Sequence, residues 1–569
     1  MYTGPQISAY SENLLVHFRR IESLKKDAVD FASLNLNKRQ LCDLELLLSR
    51  AFYPLDGYLG QKEYEKVLQE MRLSDGTLWP IPICLDVGEE FAEKLKSGSP
   101  IALRDQEAFM LAVMQVEEMW RPDLKAEARA VYGTEDPEAH PGVRKFLLDT
   151  KPVYVSGRIE GLHLPQHYDF PEVRRTPAEF LRAYMQKGWR NVLCLQTNEY
   201  LHREHKEMLS AACSDAGSSL LVQSVVDPAM VGELDHFSMV KCQKEFIKTF
   251  PHNMAMLNLL PLAVRTAGPK QALWEAIIQK NYGCTQYLVA EDHADPFSGS
   301  DQPFYPKNSA IELVKEYEEE LEIRSCSRKK MVYVEGKAQY IPEEQVESDD
   351  KVRTLSSGEL KRRLEYGLEI PTWFTFPEVA EELRRAYPPR SKQGFTIFIT
   401  GLSGAGKSTL AKVLYVKFLE MRERPVTLLD GDVVRRNLSS ELSFTREHRN
   451  LNVTRIGFVA SEITKNGGIA ICAPIAPYEE SRQEVRNLIS RFGGFVEIYM
   501  STPLEICEQR DRKGMYAKAR AGVMKGVTGI DDPYNPPMNP ELSIDTTNKS
   551  PTEAAQEVMI YLAEQSYLR

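Results

Sequence analysis

Residues Gly401 to Ser408 read Gly-Leu-Ser-Gly-Ala-Gly-Lys-Ser, a full G-x-x-x-x-G-K-[ST] phosphate loop, with Thr409 directly after it. The glycines let backbone N–H groups wrap phosphate oxygens, Lys407 can reach β and γ phosphates, and the Ser408 hydroxyl suits Mg²⁺. Gly401, Leu402, Ser403, Gly404, Ala405, Gly406, Lys407, Ser408 and Thr409 are therefore the expected nucleoside triphosphate cradle. Downstream, Val426–Asp432 reads as an apolar strand ending in two carboxylates, Asp430 and Asp432, around a glycine. In isolation that is an ordinary Asp-Gly turn. Beside bound phosphates such carboxylates hold Mg²⁺ through water or accept a hydroxyl proton.

Two further clusters suit anions. Arg435, Phe444, Arg449, Asn452 and Arg455 fall in one polar stretch, where guanidinium forks fit phosphate or sulfate and an aromatic face fits a base. Spacing alone would make this a solvated helix. Arg510, Arg512, Lys513, Lys518, Arg520 and Lys525, interrupted only by Asp511, fit a mobile cationic cover over polyphosphate, or else a charged surface helix.

The elements that must hold these residues are visible in the pattern. The apolar run Phe395–Thr400 predicts a strand entering the loop, and Thr409–Leu419 has helical period, which puts the loop at a helix N-terminus where the dipole favours anions. Residues 1–170 mix short apolar runs with turn residues and predict a β-rich domain. Over 171–320, helical patterns alternate with buried-strand runs at Asn191–Leu195, Asn253–Leu260 and Gln286–Ala290, the signature of a parallel α/β sheet. A small domain, 321–390, ends in the helical stretch Pro377–Arg385, and Tyr387–Gly394 is the clearest linker before a final α/β domain, 391–569.

The 569 residues suggest about three or four modules. A formal charge of −10 does not advertise nucleic-acid binding, so anion sites must be local. The 9 cysteines are scattered without a C-x-x-C pair, which points to reduced thiols and a cytoplasmic setting. No apolar run approaches the roughly 20 residues of a membrane span, and the N-terminus lacks the pattern of a secretory signal.

The phrases Gly401–Thr409, Asp430-Gly-Asp-Val-Val-Arg435, Phe444-Thr-Arg-Glu-His-Arg449 with Asn452, Ile475-Ala-Pro-Tyr478, Lys513-Gly-Met-Tyr516 and Thr528–Tyr534 occur in order through 391–569. This region resembles adenylyl-sulfate (APS) kinase, which moves the ATP γ-phosphate to the 3′-hydroxyl of adenosine 5′-phosphosulfate. The resemblance implies a P-loop kinase fold with ATP and Mg²⁺. It makes Lys407 and Asp432 catalytic, Ser408 and Asp432 Mg²⁺-linked, and Arg510 an ATP contact. Arg435, Phe444, Arg449, Asn452, Ile475 and Lys513 would hold adenylyl sulfate. Ala476 stands where many members have Ser.

Residues 1 to about 390 resemble ATP sulfurylase, through phrases such as Phe52-Tyr-Pro-Leu-Asp-Gly57 and Ala267–Gly283. That implies a PUA-like first domain, a Rossmann-like nucleotidyltransferase domain and a small third domain, in a dimer or hexamer. The active-site phrases depart from the family. Its Q-T-R-N-P-x-H-x-x-H is Gln196-Thr-Asn-Glu-Tyr-Leu-His-Arg-Glu-His205, with Asn198 in place of the sulfate-holding Arg. Its G-R-D-H-A-G is Ala290-Glu-Asp-His-Ala-Asp295, with Glu291 in place of a second Arg. His202 and His205 survive and are expected on one helical face; His293 is either a structural histidine or a remnant nucleotide contact.

Each lost charge-assisted bond costs roughly 1.5–3 kcal/mol, and Glu199, Glu291 and Asp295 add repulsion toward sulfate. The expectation is a kinase carrying a degenerate sulfurylase site with weak or no sulfurylase activity, unless Arg203 or Arg265 compensates. A fully bifunctional enzyme and a non-catalytic nucleotide-binding regulator are the alternatives.

Overall fold

The computed structural model describes residues 13–226, 236–298, 302–511 and 513–568, apart from the side chain of Asp432. It divides into two compact units, one of residues 1–354 and 371–382 and the other of 355–370 and 383–569. The chain therefore leaves the first unit, contributes a segment to the second, and returns before crossing for good.

The first unit opens with a seven-stranded sheet, mostly antiparallel, centred on Val153–Gly161, which pairs with four other strands. The apolar run Leu78–Asp86 forms a strand only at its end, Leu85–Val87, because Pro80 and Pro82 offer no N–H to a ladder. The second sheet is wholly parallel, in the order Ala255–Leu260, Ser219–Val225, Val192–Thr197, Gln286–Val289, Arg324–Ser327. Its last strand lies beyond residue 320, so the sheet runs past the expected boundary. Strand order reverses between Val192–Thr197 and Gln286–Val289, the place where open α/β sheets bind ligands.

A three-stranded antiparallel sheet, Gln339–Pro342, Met331–Val334 and Val352–Arg353, follows. One continuous core joins the first two sheets around fully buried Trp79 and Trp274.

The second unit is a five-stranded parallel sheet in the order Val426–Asp430, Ile469–Ala473, Phe395–Gly401, Gly494–Met500, Leu542–Ile544. Apolar cores cover both its faces, as Val/Ile/Phe-rich parallel strands require. The expected linker Tyr387–Gly394 lies inside this unit. Arg390 stacks on Tyr366 and Tyr567, and Arg424 donates to the Gln393 carbonyl. All 9 cysteines are free, and no helix among the described residues is long and apolar enough to cross a membrane.

Candidate functional site

The central strand Phe395–Gly401 runs into the loop, and the helix Lys407–Met421 starts inside it. Gly404 sits at φ +78°, and a Cβ there would lie 2.9 Å from the Cys507 carbonyl oxygen. Gly406 sits at φ +100°. Both positions lie in the left-handed region, which glycine enters without the clash that a side chain brings. Buried Lys407 donates to the carbonyls of Gly401 (2.9 Å) and Leu402 (2.7 Å). Tyr516 closes the far side, its hydroxyl donating to the Ser403 carbonyl at 2.9 Å.

A cavity of about 990 Å³ opens over this loop, lined by Ser403, Gly404 and Gly406–Thr409 together with Asp430, Arg435, Phe444, Arg449, Asn452, Ile475, Arg510 and Lys513. Gly401, Leu402 and Ala405 shape the loop from behind; Ala405 is fully buried. The two-carboxylate strand end is redrawn: the strand stops at Asp430 and a helix begins at Gly431, so Asp432 falls in that helix's first turn. The Asp432 side chain lies outside the described residues, as does Arg512. Ser408 and Asp430 present hard oxygen donors to one cavity, a set that fits Mg²⁺.

The wall opposite the loop is built from the helix Arg446–Lys465 and the turn before it. Arg435 stacks over the exposed Phe444 ring at 4.0 Å and donates to the Leu442 and Ser443 carbonyls at 3.3 Å each. Arg449 closes its fork on protein oxygens: Thr528 Oγ1 (2.6 Å), Asp532 Oδ2 (2.7 Å), and the carbonyls of Phe444 (2.8 Å) and Gly526. The Tyr478 hydroxyl donates to Asp532 Oδ1 at 2.9 Å.

Asp532 thus ties Arg449 and Tyr478 into one brace that holds the wall at Gly526–Thr528. Neither Asp532 nor the brace stands out in the sequence, where Asp531-Asp532 is only part of a phrase. Asn452 carries a buried side-chain oxygen with no hydrogen-bond partner, an acceptor facing the cavity wall. Ala476 is buried at φ +45°, and the neighbouring Ile475 carbonyl accepts from Thr400 Oγ1 at 2.7 Å.

Arg510 is held across the loop by Thr546, donating to its hydroxyl (2.8 Å) and carbonyl (2.7 Å). Of the expected cationic cover, Arg510 and Lys513 line the cavity, while Arg520 pairs with Glu508. The segment is built from two short helices, Leu504–Arg510 and Met515–Arg520.

In the first unit, the departing residues gather where strand order reverses. Gln196, next to last in the strand Val192–Thr197, accepts from Gln279 at 2.8 Å. Asn198 and Glu199 follow on its loop, and Glu291 and His293 lie on the loop after Gln286–Val289. The two histidines do not share a helical face. His202 is extended (φ −120°, ψ −174°) and caps the helix Arg203–Ala216, exchanging cap bonds with His205. His202 Nδ1 lies 2.9 Å from Thr375 Oγ1, and burial holds its imidazole neutral, with the pKa lowered to about 3. His293 Nε2 sits 2.5 Å from buried Glu275, which also accepts from Tyr287 at 2.8 Å.

The expected repulsive acids divide. Asp295 accepts the backbone N–H of Phe297 (2.7 Å) and Tyr305 (2.8 Å) and so organises its own loop. Glu199 meets Arg328 Nη2 at 3.1 Å. Glu291 is exposed to solvent, and so is the Glu199 side chain despite its arginine partner. The two compensating arginines are engaged elsewhere: Arg203 donates to the Thr372 carbonyl at 2.6 Å, and Arg265 binds Asp43. Arg328, which sequence reasoning missed, is the guanidinium that reaches this site. Among the described residues no group of three His, Cys, Asp or Glu could hold a metal ion.

Fold and site define a parallel α/β domain of the phosphate-loop class, joined to a unit that combines a second parallel sheet with a mostly antiparallel seven-stranded sheet and a small antiparallel one. A family model of PUA-like domains matches residues 8–164, one of ATP-sulfurylase 171–386, and one of adenylylsulphate kinase 393–545. Proteins named sulfate adenylyltransferase from Phaeosphaeria nodorum and Chaetomium globosum are 41% and 42% identical, with 96% of each chain covered. A solved structure described as a hexameric APS kinase from Thiobacillus denitrificans is 36% identical, with TM-score 0.79 and 98% of both chains covered. The chain belongs to this family, in which a PUA-like domain and an ATP sulfurylase module precede an adenylylsulphate kinase domain.

Proposed function

We propose that the protein is an adenylyl-sulfate kinase whose sulfurylase-like module adenylylates sulfate weakly or not at all. The carrying observation is the cavity in which the phosphate loop, Asp430, Arg435, Phe444, Arg449, Asn452, Arg510 and Lys513 meet. ATP lies with its phosphates on the loop amides, Lys407 and Arg510. Adenylyl sulfate lies across the cavity, its base against Phe444 and its charged groups toward Arg435 and Lys513.

Asp432 takes the proton of the 3′-hydroxyl as that oxygen bonds to the γ-phosphorus, the bridging P–O bond breaks, and ADP leaves. Mg²⁺, when bound by Ser408 with Asp430 and Asp432, offsets charge on the phosphate oxygens. In the same reading the chain works in the cytoplasm as a symmetric homo-oligomer, a dimer or hexamer; the description of the Thiobacillus protein as hexameric supports the latter.

The weak-sulfurylase half rests on Asn198 and Glu291 replacing two guanidinium groups, and on Arg203 and Arg265 being bound elsewhere. A fully bifunctional enzyme is the second reading, favoured by the sulfate adenylyltransferase names of full-length relatives. A paired assay separates them. The chain with adenylyl sulfate and Mg·ATP should yield phosphorylated product, while sulfate and ATP should release pyrophosphate at least about 10²-fold more slowly than a sulfurylase with both arginines. No phosphorylated product would sink the kinase assignment, and brisk pyrophosphate release would establish the bifunctional one.

A further inference from the structure

The first unit's reversal crevice contains a cluster of Glu199, His205 and Arg328 that the kinase reaction does not use, and its guanidinium, Arg328, lies outside the family's motif phrases. Arg328 lies just past the edge strand Arg324–Ser327, its backbone N–H tied to the Val289 carbonyl at 3.1 Å. Its guanidinium reaches across to the loop after Val192–Thr197, 3.1 Å from Glu199 Oε2 and 2.8 Å from His205 Nε2. Glu199 Oε2 is 3.8 Å from the same ring nitrogen.

The Glu199 backbone is fixed on both sides, its N–H donating to Thr197 Oγ1 (3.1 Å) and its carbonyl accepting from Gln243 (3.0 Å). The carboxylate is thus delivered to Arg328 and the His205 ring by a braced loop, although its side chain is 54% exposed. We propose that Glu199 is a built-in oxyanion substitute, its carboxylate occupying the position from which a free sulfate-type oxyanion would reach Arg328 and His205.

This deepens the weak-sulfurylase reading and rests on it. Hydrogen bonding to His205 and the charge of Arg328 lower the Glu199 pKa to about 2, so the substitute stays ionised at neutral pH. A tetrahedral dianion entering the crevice meets a negative charge that already uses the local donors. It must displace that charge or lie beside it, and either weakens binding.

The test is calorimetric titration of inorganic sulfate into full-length wild type, Glu199→Gln, Glu199→Ala and the double variant Glu199→Gln/Arg328→Gln. All four carry the same phosphate loop, so differences among them report the first unit. Either single variant should bind sulfate at least about tenfold more tightly than wild type, and the double variant should lose that gain. Kinase turnover, which does not use Glu199, verifies the second unit and an unchanged denaturation midpoint verifies the first, and two side chains are tried so that one misfolded variant does not end the test.

Wild-type sulfate affinity in both single variants, with kinase turnover intact, overturns the proposal. So does a gain that survives in the double variant. Pyrophosphate release distinguishes the two levels: brisk release by wild type defeats the weak-sulfurylase reading itself. Slow release with no gain in the variants defeats only the substitute.

Discussion

Lys407 and His202 show how differently two legible residues depend on their surroundings. Lys407 was predictable from spacing alone, since a lysine ahead of Ser408 in a glycine loop has one role, and the structure buries it against the carbonyls of Gly401 and Leu402. Lys407→Ala should lower kinase kcat by about 10²- to 10³-fold, measured under saturating Mg·ATP and adenylyl sulfate.

His202 was legible as half of a His-x-x-His phrase, but its cap position, its contact with Thr375 and its tilted ring contact with Phe374 at 4.3 Å were not. Thr375 and Phe374 lie more than 170 residues away, and no local pattern announces them. The titration has a definite sign. Above pH 6.5 the imidazole is neutral in both states; between 6.5 and about 3 the unfolded chain binds a proton that the buried ring refuses. Stability is therefore present above 6.5 and is lost as pH falls toward 3. The denaturation midpoint of the first unit should drop from pH 7 to pH 5 more in wild type than in His202→Asn. Equal drops would remove His202 from the account.

At the scale of elements, period and punctuation carried the reading well where a segment makes its own case. Phe395–Gly401, the helix from Lys407, and the buried strands Val192–Thr197 and Gln286–Val289 all follow from apolar runs and glycine placement. They failed where backbone geometry decides. Gly431 reads as the middle of a turn, yet it begins a helix and separates Asp430 from Asp432.

The brace at Asp532 belongs to the same class, because it joins a helix, a strand-end loop and a late turn that only the sheet brings together. Asp532→Ala should free Arg449 and Tyr478 and raise KM for adenylyl sulfate by about tenfold, with a smaller change in kcat. Asp532→Asn, which keeps one acceptor, should recover part of the loss in the same steady-state assay. Gly404→Ala forces a Cβ toward the Cys507 carbonyl in the left-handed region. It should weaken ATP binding and lower the melting temperature of the kinase unit together.

Over the whole molecule, the order of three family modules was legible because each brought its own phrases, and the boundary between units was not. Tyr387–Gly394 has the composition of a linker, but Arg390 anchors it on Tyr366 and Tyr567. A fragment starting at residue 391 should accordingly melt several degrees below one starting at 355, which keeps Tyr366 and Arg390, by about 4 °C per kcal/mol lost in a domain of this size, as differential scanning calorimetry would record.

The segment exchange at 354–383 also bears on synthesis. A nascent chain cannot complete the first unit when residue 354 emerges, because Pro371–Glu382 must still arrive. By then Leu355–Ile370 is already outside, waiting for a second unit that translation has not yet made. The maturation of the two units on the ribosome is interlaced in time, with Leu355–Ile370 the stretch most in need of protection.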